Sequence, residues 1–146
     1  MSNRDLNIYL AGKMNGLTYE EMNNWRIKVK DTLLDYTSVT TKRLNVINPC
    51  DYYNFEIPQH QSEREVMEFD LRLVKKSDII VVNLDGINTS IGTCIECYVA
   101  HSLDIPVIAL GTKEQYEIVH PWIQCCITRY EKNEFSLSSY IKNFYC

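Results

Sequence analysis

The chain has 146 residues, of which 45% are hydrophobic and 23% charged, with a formal net charge of -4. That length holds one domain, residues 1–146, with a core of its own, and is too short for two ordinary ones. No block of like charges favours a nucleic acid polymer, no window approaches a membrane span, and the opening MSNRDLNIYLAG lacks the apolar stretch of a signal peptide, so a cytoplasmic location is expected.

Asn7 to Ala11 (NIYLA) is a short apolar run that reads as a strand, followed by the glycine-bracketed loop GKMNG. Thr18 and Glu21 make a capping box for a helix in which Met22, Trp25, Val29 and Leu33 recur at helical spacing. LNVINP is a second strand ended by Pro49, and CDYYNFEIPQHQ is an aromatic loop long enough to wall one side of a site. Ser62 and Glu65 make another capping box, opening a helix through Lys76. SDIIVVNL is then an unbroken apolar strand of the kind buried on both faces. DGINTSIG turns into a helix containing Glu96, IPVIAL is the fourth strand, QCCITRY holds a weak fifth, and a last helix starts near Ser136. Strands alternating with helices predict a doubly wound α/β fold, a five-stranded parallel sheet in a three-layer sandwich. Ligands of such sheets bind beyond the carboxyl ends of the strands, which selects GKMNG, CDYYNF and DGINTSIG as site loops.

The six cysteines are read as free thiols, since nothing routes the chain out of a reducing compartment. Cys94 and Cys97 form a CxxC that, with Cys125 and Cys126, invites a zinc site. Adjacent cysteines in a strand point to opposite faces, however, and a structural site more often supplies a second spaced pair, so no metal is expected. A thioredoxin-like role is disfavoured by the glutamate between the thiols.

Two carboxylates stand where apolar side chains are expected. Asp70 lies four residues after Val66 and three before Leu73, on a face marked by Val66, Phe69, Leu73 and Val74. Glu96 has Val99, Ala100 and Leu103 three, four and seven positions on. Burying an unpaired charge costs several kcal/mol, so each is paired, hydrogen-bonded or kept for chemistry. The plain reading makes both of them satisfied structural groups. The chemical reading is cleavage at an acetal-like carbon, with Glu96 as nucleophile, its ionised form favoured by the positive end of its helix, and Asp70 as positioning acid or proton handler. Ser90, Gly92 and Thr93 precede or open that helix and suit a phosphate, and Gly12, Lys13, Asn15 and Gly16 offer a second cradle.

IYLAGKMNG, FDLRLVKKSDIIVVNL and SIGTCIE, in this order and spacing from Asn7 to Gly111, resemble the nucleoside 2-deoxyribosyltransferase superfamily. The superfamily has a flavodoxin-like (Rossmann-like) fold and includes base-exchanging transferases and nucleoside 5'-monophosphate N-glycosidases. The resemblance implies that Glu96 forms a covalent glycosyl intermediate at the anomeric carbon, that Asp70 lies near the sugar hydroxyls and the glutamate, and that Tyr9 is an aromatic residue near the glutamate. Gly12 to Gly16 match its first ligand-binding loop. Ser90 matches the serine by which the nucleotide hydrolases contact the 5'-phosphate, where transferases often have an aspartate. Lys13 is the only cation where the hydrolases tend to offer an arginine, and Cys94 replaces the family's usual glycine. A small-molecule nucleoside or nucleotide, no cofactor and a homo-oligomer, dimer or larger, are what the resemblance implies.

Trp25 is expected in the core, and His120, Pro121 and Trp122 in packing. Tyr52, Tyr53 and Phe55 either stack on a nucleobase or cover the sheet edge, while His101 points away from Glu96. Two alternatives stay open: a nucleotide-sensing module that keeps the pocket without turnover, and a flavin binder, which is disfavoured because GKMNG lacks the serine and threonine run that wraps a flavin phosphate.

Overall fold

A computed structural model of the chain describes residues 5–35 and 42–146. The first four residues, part of the stretch read for a signal peptide, lie outside the described residues. Five strands, β1 (Leu6–Ala11), β2 (Leu44–Ile47), β3 (Ile79–Asn83), β4 (Val107–Leu110) and β5 (Arg129–Glu131), form one sheet in the order β2-β1-β3-β4-β5. Every neighbouring pair is parallel, with Tyr9 opposite both Ile47 and Ile80, and Val82 opposite Ala109. This is the doubly wound three-layer α/β arrangement expected from the alternating elements, in the flavodoxin-like strand order.

Side-chain alternation divides the core between the two faces of the sheet. Ile8, Leu10, Val81 and Ile108 pack with Val29 and Leu33 of α1 (Tyr19–Leu33) and Leu137 and Ile141 of α6 (Glu134–Tyr145). Tyr9, Ala11, Ile80, Val82 and Ala109 face the other way. They meet Val74 of α2 (Glu63–Lys75) and Cys97 and Ala100 of α3 (Ile91–Ser102). No helix among the described residues is long and apolar enough to cross a membrane.

Local signals fix the helix starts. Thr18 accepts from the Glu21 amide and Ser62 from that of Glu65, each with the reciprocal bond from the glutamate, so both capping boxes form. A third, Thr112 with Gln115, opens the short α4 (Lys113–Glu117), and Pro121 opens α5 (Pro121–Gln124), two helices absent from the reading of the sequence. They take up Cys125 and Cys126 at the end of α5, so β5 begins at Arg129 rather than among the cysteines. The last helix starts at Glu134, two residues before Ser136, because Asn133 caps it.

Two expectations about apolar faces are corrected. Phe69 is 40% exposed and rests against Tyr52 and Tyr53, with ring centroids 5.6 and 5.9 Å away, because only a narrow stripe of α2 reaches the sheet. Leu103 is 50% exposed because α3 ends at Ser102. The buried stripe of α3 is Thr93, Cys97 and Ala100, and Glu96 stands at its margin.

Candidate active site

The chain leaves β1 for β2 on one side and later returns to β3 on the other, so strand order reverses between β1 and β3. Loops diverge at such a point and leave a crevice at the carboxyl ends of the strands. A cavity of about 820 Å³ opens there. Tyr9, Gly12 and Asn15 come to it from β1 and its loop, Asp70 from α2, and Ser90, Gly92, Thr93 and Glu96 from the start of α3. Eight of the ten residues singled out in the sequence thus line one cavity.

Lys13 and Gly16 are the other two, and neither lines the cavity. The Lys13 stem runs past Gly86, where a Cβ would lie 2.8 Å from Lys13 Cδ, and its ammonium donates to Thr89 Oγ1 at 2.9 Å. The only cation of the first loop thus ties that loop to the one before α3. Gly16 sits exposed in a turn with φ of 76°, a left-handed conformation that favours glycine.

Each carboxylate has a tyrosine. The Tyr9 hydroxyl, on a side chain 1% exposed, donates a short hydrogen bond to Glu96 Oε2. The Tyr53 hydroxyl donates to Asp70 Oδ1 at 2.6 Å. Burial pushes the Glu96 carboxyl up to about 7, the bond from Tyr9 pulls down, the charge of Asp70 pushes up and that of Arg26 pulls down. Burial also raises Asp70, against the bond from Tyr53 and the charge of Arg26. Both phenols are held well above their usual value by burial and by the acids they face, so they act as donors and stay neutral. The expected help from the helix dipole is corrected here. Glu96 is the sixth residue of α3, in its second turn, where the end charge has faded and desolvation dominates.

Ser90 and Thr93, both buried, share a hydrogen bond of 2.7 Å between their hydroxyls. The Cys94 amide bonds the Ser90 carbonyl, while the amides of Ile91, Gly92 and Thr93 belong to the first turn, which has no intrahelical acceptors. Opposite stand Tyr53, Phe55, His60 and Met67. Tyr53 packs edge-on to Phe55 and His60, at 6.3 and 5.9 Å between centroids, while Tyr52 leans on Phe69 outside the cavity. Cys50, Cys94, Cys97, Cys125 and Cys126 are free thiols, and no group of three or more His, Cys, Asp or Glu among the described residues is placed to hold a metal.

The residue that the sequence reading passed over is Arg26, 1% exposed, on the cavity wall. It lies four positions after Met22 and three before Val29, the same spacing that marked Asp70. The same spacing marks Arg26, but Trp25 beside it is apolar and draws the inward face to itself.

A parallel sheet in this order, with two tyrosine-bonded carboxyl groups lining a cavity at its switch point, defines a doubly wound α/β protein. The chain belongs to the nucleoside 2-deoxyribosyltransferase family, whose model matches residues 8–136, so it is a nucleoside deoxyribosyltransferase-like enzyme. Among solved structures it is similar to a conserved protein from Enterococcus faecalis V583, with a TM-score of 0.73 and 21% identity, covering 95% of this chain and 98% of that one. It is also similar to a 2-deoxyribosyltransferase from Bacillus psychrosaccharolyticus, with a TM-score of 0.67 and 22% identity, covering 92% and 91%. At such identities these likenesses carry the fold. No curated protein matches the chain.

Proposed function

We propose that the protein cleaves the N-glycosidic bond of a 2'-deoxynucleoside, or of its 5'-monophosphate, through an ester of Glu96. The observation that carries this reading is the pair of half-buried carboxyl groups, Glu96 and Asp70, facing one cavity with a tyrosine donor on each. The ionised Glu96 attacks C1' of the sugar, the C1'–N bond breaks, and its electron pair leaves with the base, which takes up a proton. Water then attacks C1' to free the sugar, or a ring nitrogen of a second base does so to form a new nucleoside, and either step restores the Glu96 carboxylate. Asp70 holds a sugar hydroxyl, and Tyr9 keeps Glu96 oriented and favours its charged form. Phe55 and Tyr53 offer ring surface to the base. Ser90, Gly92 and Thr93 receive the 5' end of the substrate, with Gly12 and Asn15 across from them.

The experiment is a panel of nucleosides and 5'-monophosphates scored for free base by chromatography, with and without a second base, on the wild type and on Glu96→Ala. Base release only with an acceptor identifies a transferase, and release in water identifies an N-hydrolase. Turnover by Glu96→Ala equal to the wild type removes the proposal.

A second copy of the chain is proposed to cover the apolar side of α2 and α3 beside the cavity mouth. Met67, Ile91 and Tyr98 there are 46%, 78% and 59% exposed, and Met67 and Ile91 also line the cavity. Light scattering that finds only monomer at micromolar concentration rules this out.

A further inference from the structure

Arg26 is among the largest side chains fully withdrawn from solvent. Its Nε donates to the Leu10 carbonyl at 3.3 Å, its Nη2 to that of Gly12 at 3.0 Å, and its Nη1 to that of Met22, while the guanidinium lies 4.7 Å from the centroid of the Trp25 ring. Leu10 and Gly12 bracket the carboxyl end of β1, one and three positions beyond Tyr9. Two of the five guanidinium donors therefore grip the stretch of backbone that aims the Tyr9 phenol at Glu96, and a third returns to its own helix at Met22.

Carbonyl bonding alone does not account for a charge at this depth, since burying a cation costs several kcal/mol unless opposite charge faces it. The opposite charge is the active pair. Burial pulls the Arg26 guanidinium below its usual value, and Cys50, Tyr9, Glu96 and Asp70 each push it back. The titratable groups that face Glu96 are Tyr9 from β1, Tyr53 from the loop after β2, Asp70 from α2, Arg26 from α1 and Cys97 from its own helix. Of these, Arg26 alone carries a positive charge.

We propose that Arg26 is a positioning residue of the site, fixing the end of β1 through the Leu10 and Gly12 carbonyls and supplying the buried positive charge that favours the ionised form of Glu96. This rests on the proposed role of Glu96 and adds to Tyr9 a second group that favours the charged form of that carboxyl against its burial. A lysine in this place keeps the charge and loses the rigid fork, whereas a glutamine loses the charge and keeps part of the bonding.

The test separates those two contributions. Glu96 is titrated by carbon NMR in protein carrying labelled glutamate, its signal assigned by its absence from Glu96→Gln. Arg26→Gln is expected to raise the Glu96 midpoint by about half a unit or more, and Arg26→Lys to leave it within about 0.2 unit of the wild type. In the base-release assay Arg26→Lys is expected to lower kcat about tenfold at little change in KM, because the Tyr9–Glu96 pair is misplaced while substrate contacts persist. A folded Arg26→Gln whose Glu96 titrates as in the wild type overturns the electrostatic role. Wild-type kcat in Arg26→Lys overturns the positioning role, and does so even where Arg26→Gln fails to fold. Absence of base release by the wild type counts against the proposed reaction instead, and the NMR titration still decides the charge effect of Arg26.

Discussion

The Tyr9 phenol donates to the Glu96 carboxylate across 87 positions of sequence, joining the middle of β1 to the second turn of α3. That bond favours the charged form of Glu96 against a burial that pushes the carboxyl group up to about 7. An acid that must be ionised to attack loses activity as it is protonated. The expected outcome is that kcat/KM of the wild type falls tenfold per unit of pH below about 7. In Tyr9→Phe the limb moves up by roughly one unit and kcat falls about tenfold or more. A pH–rate series on both proteins checks this, and superimposable limbs would falsify the role given to Tyr9.

Stability should run against activity at the same residue. The Glu96 carboxyl group has its ordinary value of 4.5 when unfolded and about 7 when folded, so folding favours the protonated form. Its contribution is fully present below 4.5 and is lost as pH rises through about 7. The loss is about 3 kcal/mol at most. Glu96→Gln resembles the protonated acid, does not titrate, and still accepts from Tyr9. It is expected to exceed the wild type by about 2 kcal/mol at pH ~8, with the difference shrinking toward pH ~5. Urea melts at the two pH values measure it, and a variant less stable than the wild type at the higher pH contradicts the assignment.

Tyr53 stands to Asp70 as Tyr9 does to Glu96, at 2.6 Å, but reaches it from the aromatic loop after β2. Removing its hydroxyl frees Asp70 Oδ1 and lets the carboxyl group rise further, since the bond from Tyr53 holds it down. Tyr53→Phe is expected to raise KM by about fivefold to tenfold with a smaller change in kcat, as a neutral or rotated Asp70 grips a sugar hydroxyl less well. Steady-state kinetics over a full range of substrate decides it; a KM equal to the wild type's sinks the role given to Asp70 and Tyr53.

Gly12 is buried where a Cβ would lie 2.5 Å from Trp25 Cζ2 and 3.4 Å from Arg26 Nη2. The Trp25 ring, packed on the Arg26 guanidinium and on the core, must shift to admit that Cβ. Gly12→Ala is expected to cost about 1–3 kcal/mol and to shift the tryptophan emission. A thermal melt and a fluorescence spectrum report both effects, and an unchanged melting temperature contradicts this packing.

Much of the architecture was legible because its signals are local. A hydroxyl three residues before a glutamate satisfies helix amides whatever lies elsewhere, which is why Thr18 and Ser62 mark their helices correctly. The run IIVV can be buried only with the sheet covered on both sides, and β3 is so buried. Missed elements had weaker signals: α4 and α5 are five and four residues long, too short for periodicity to register.

Spacing alone put Asp70 and Glu96 on inward faces, and the same rule points to Arg26. What it could not supply is the company these groups keep. Lys13 belongs to a phosphate cradle in the sequence, and the fold adds a partner for it in Thr89, 76 positions away. Glu96 looks like an acid charged by its helix and is instead governed by desolvation, Tyr9, Asp70 and Arg26. The sequence determined most of which residues turn inward, Phe69 and Leu103 excepted, because that depends largely on near neighbours along the chain. Only the tertiary structure decided their proton affinities and partners, because burial and pairing are set by elements that meet from distant parts of it.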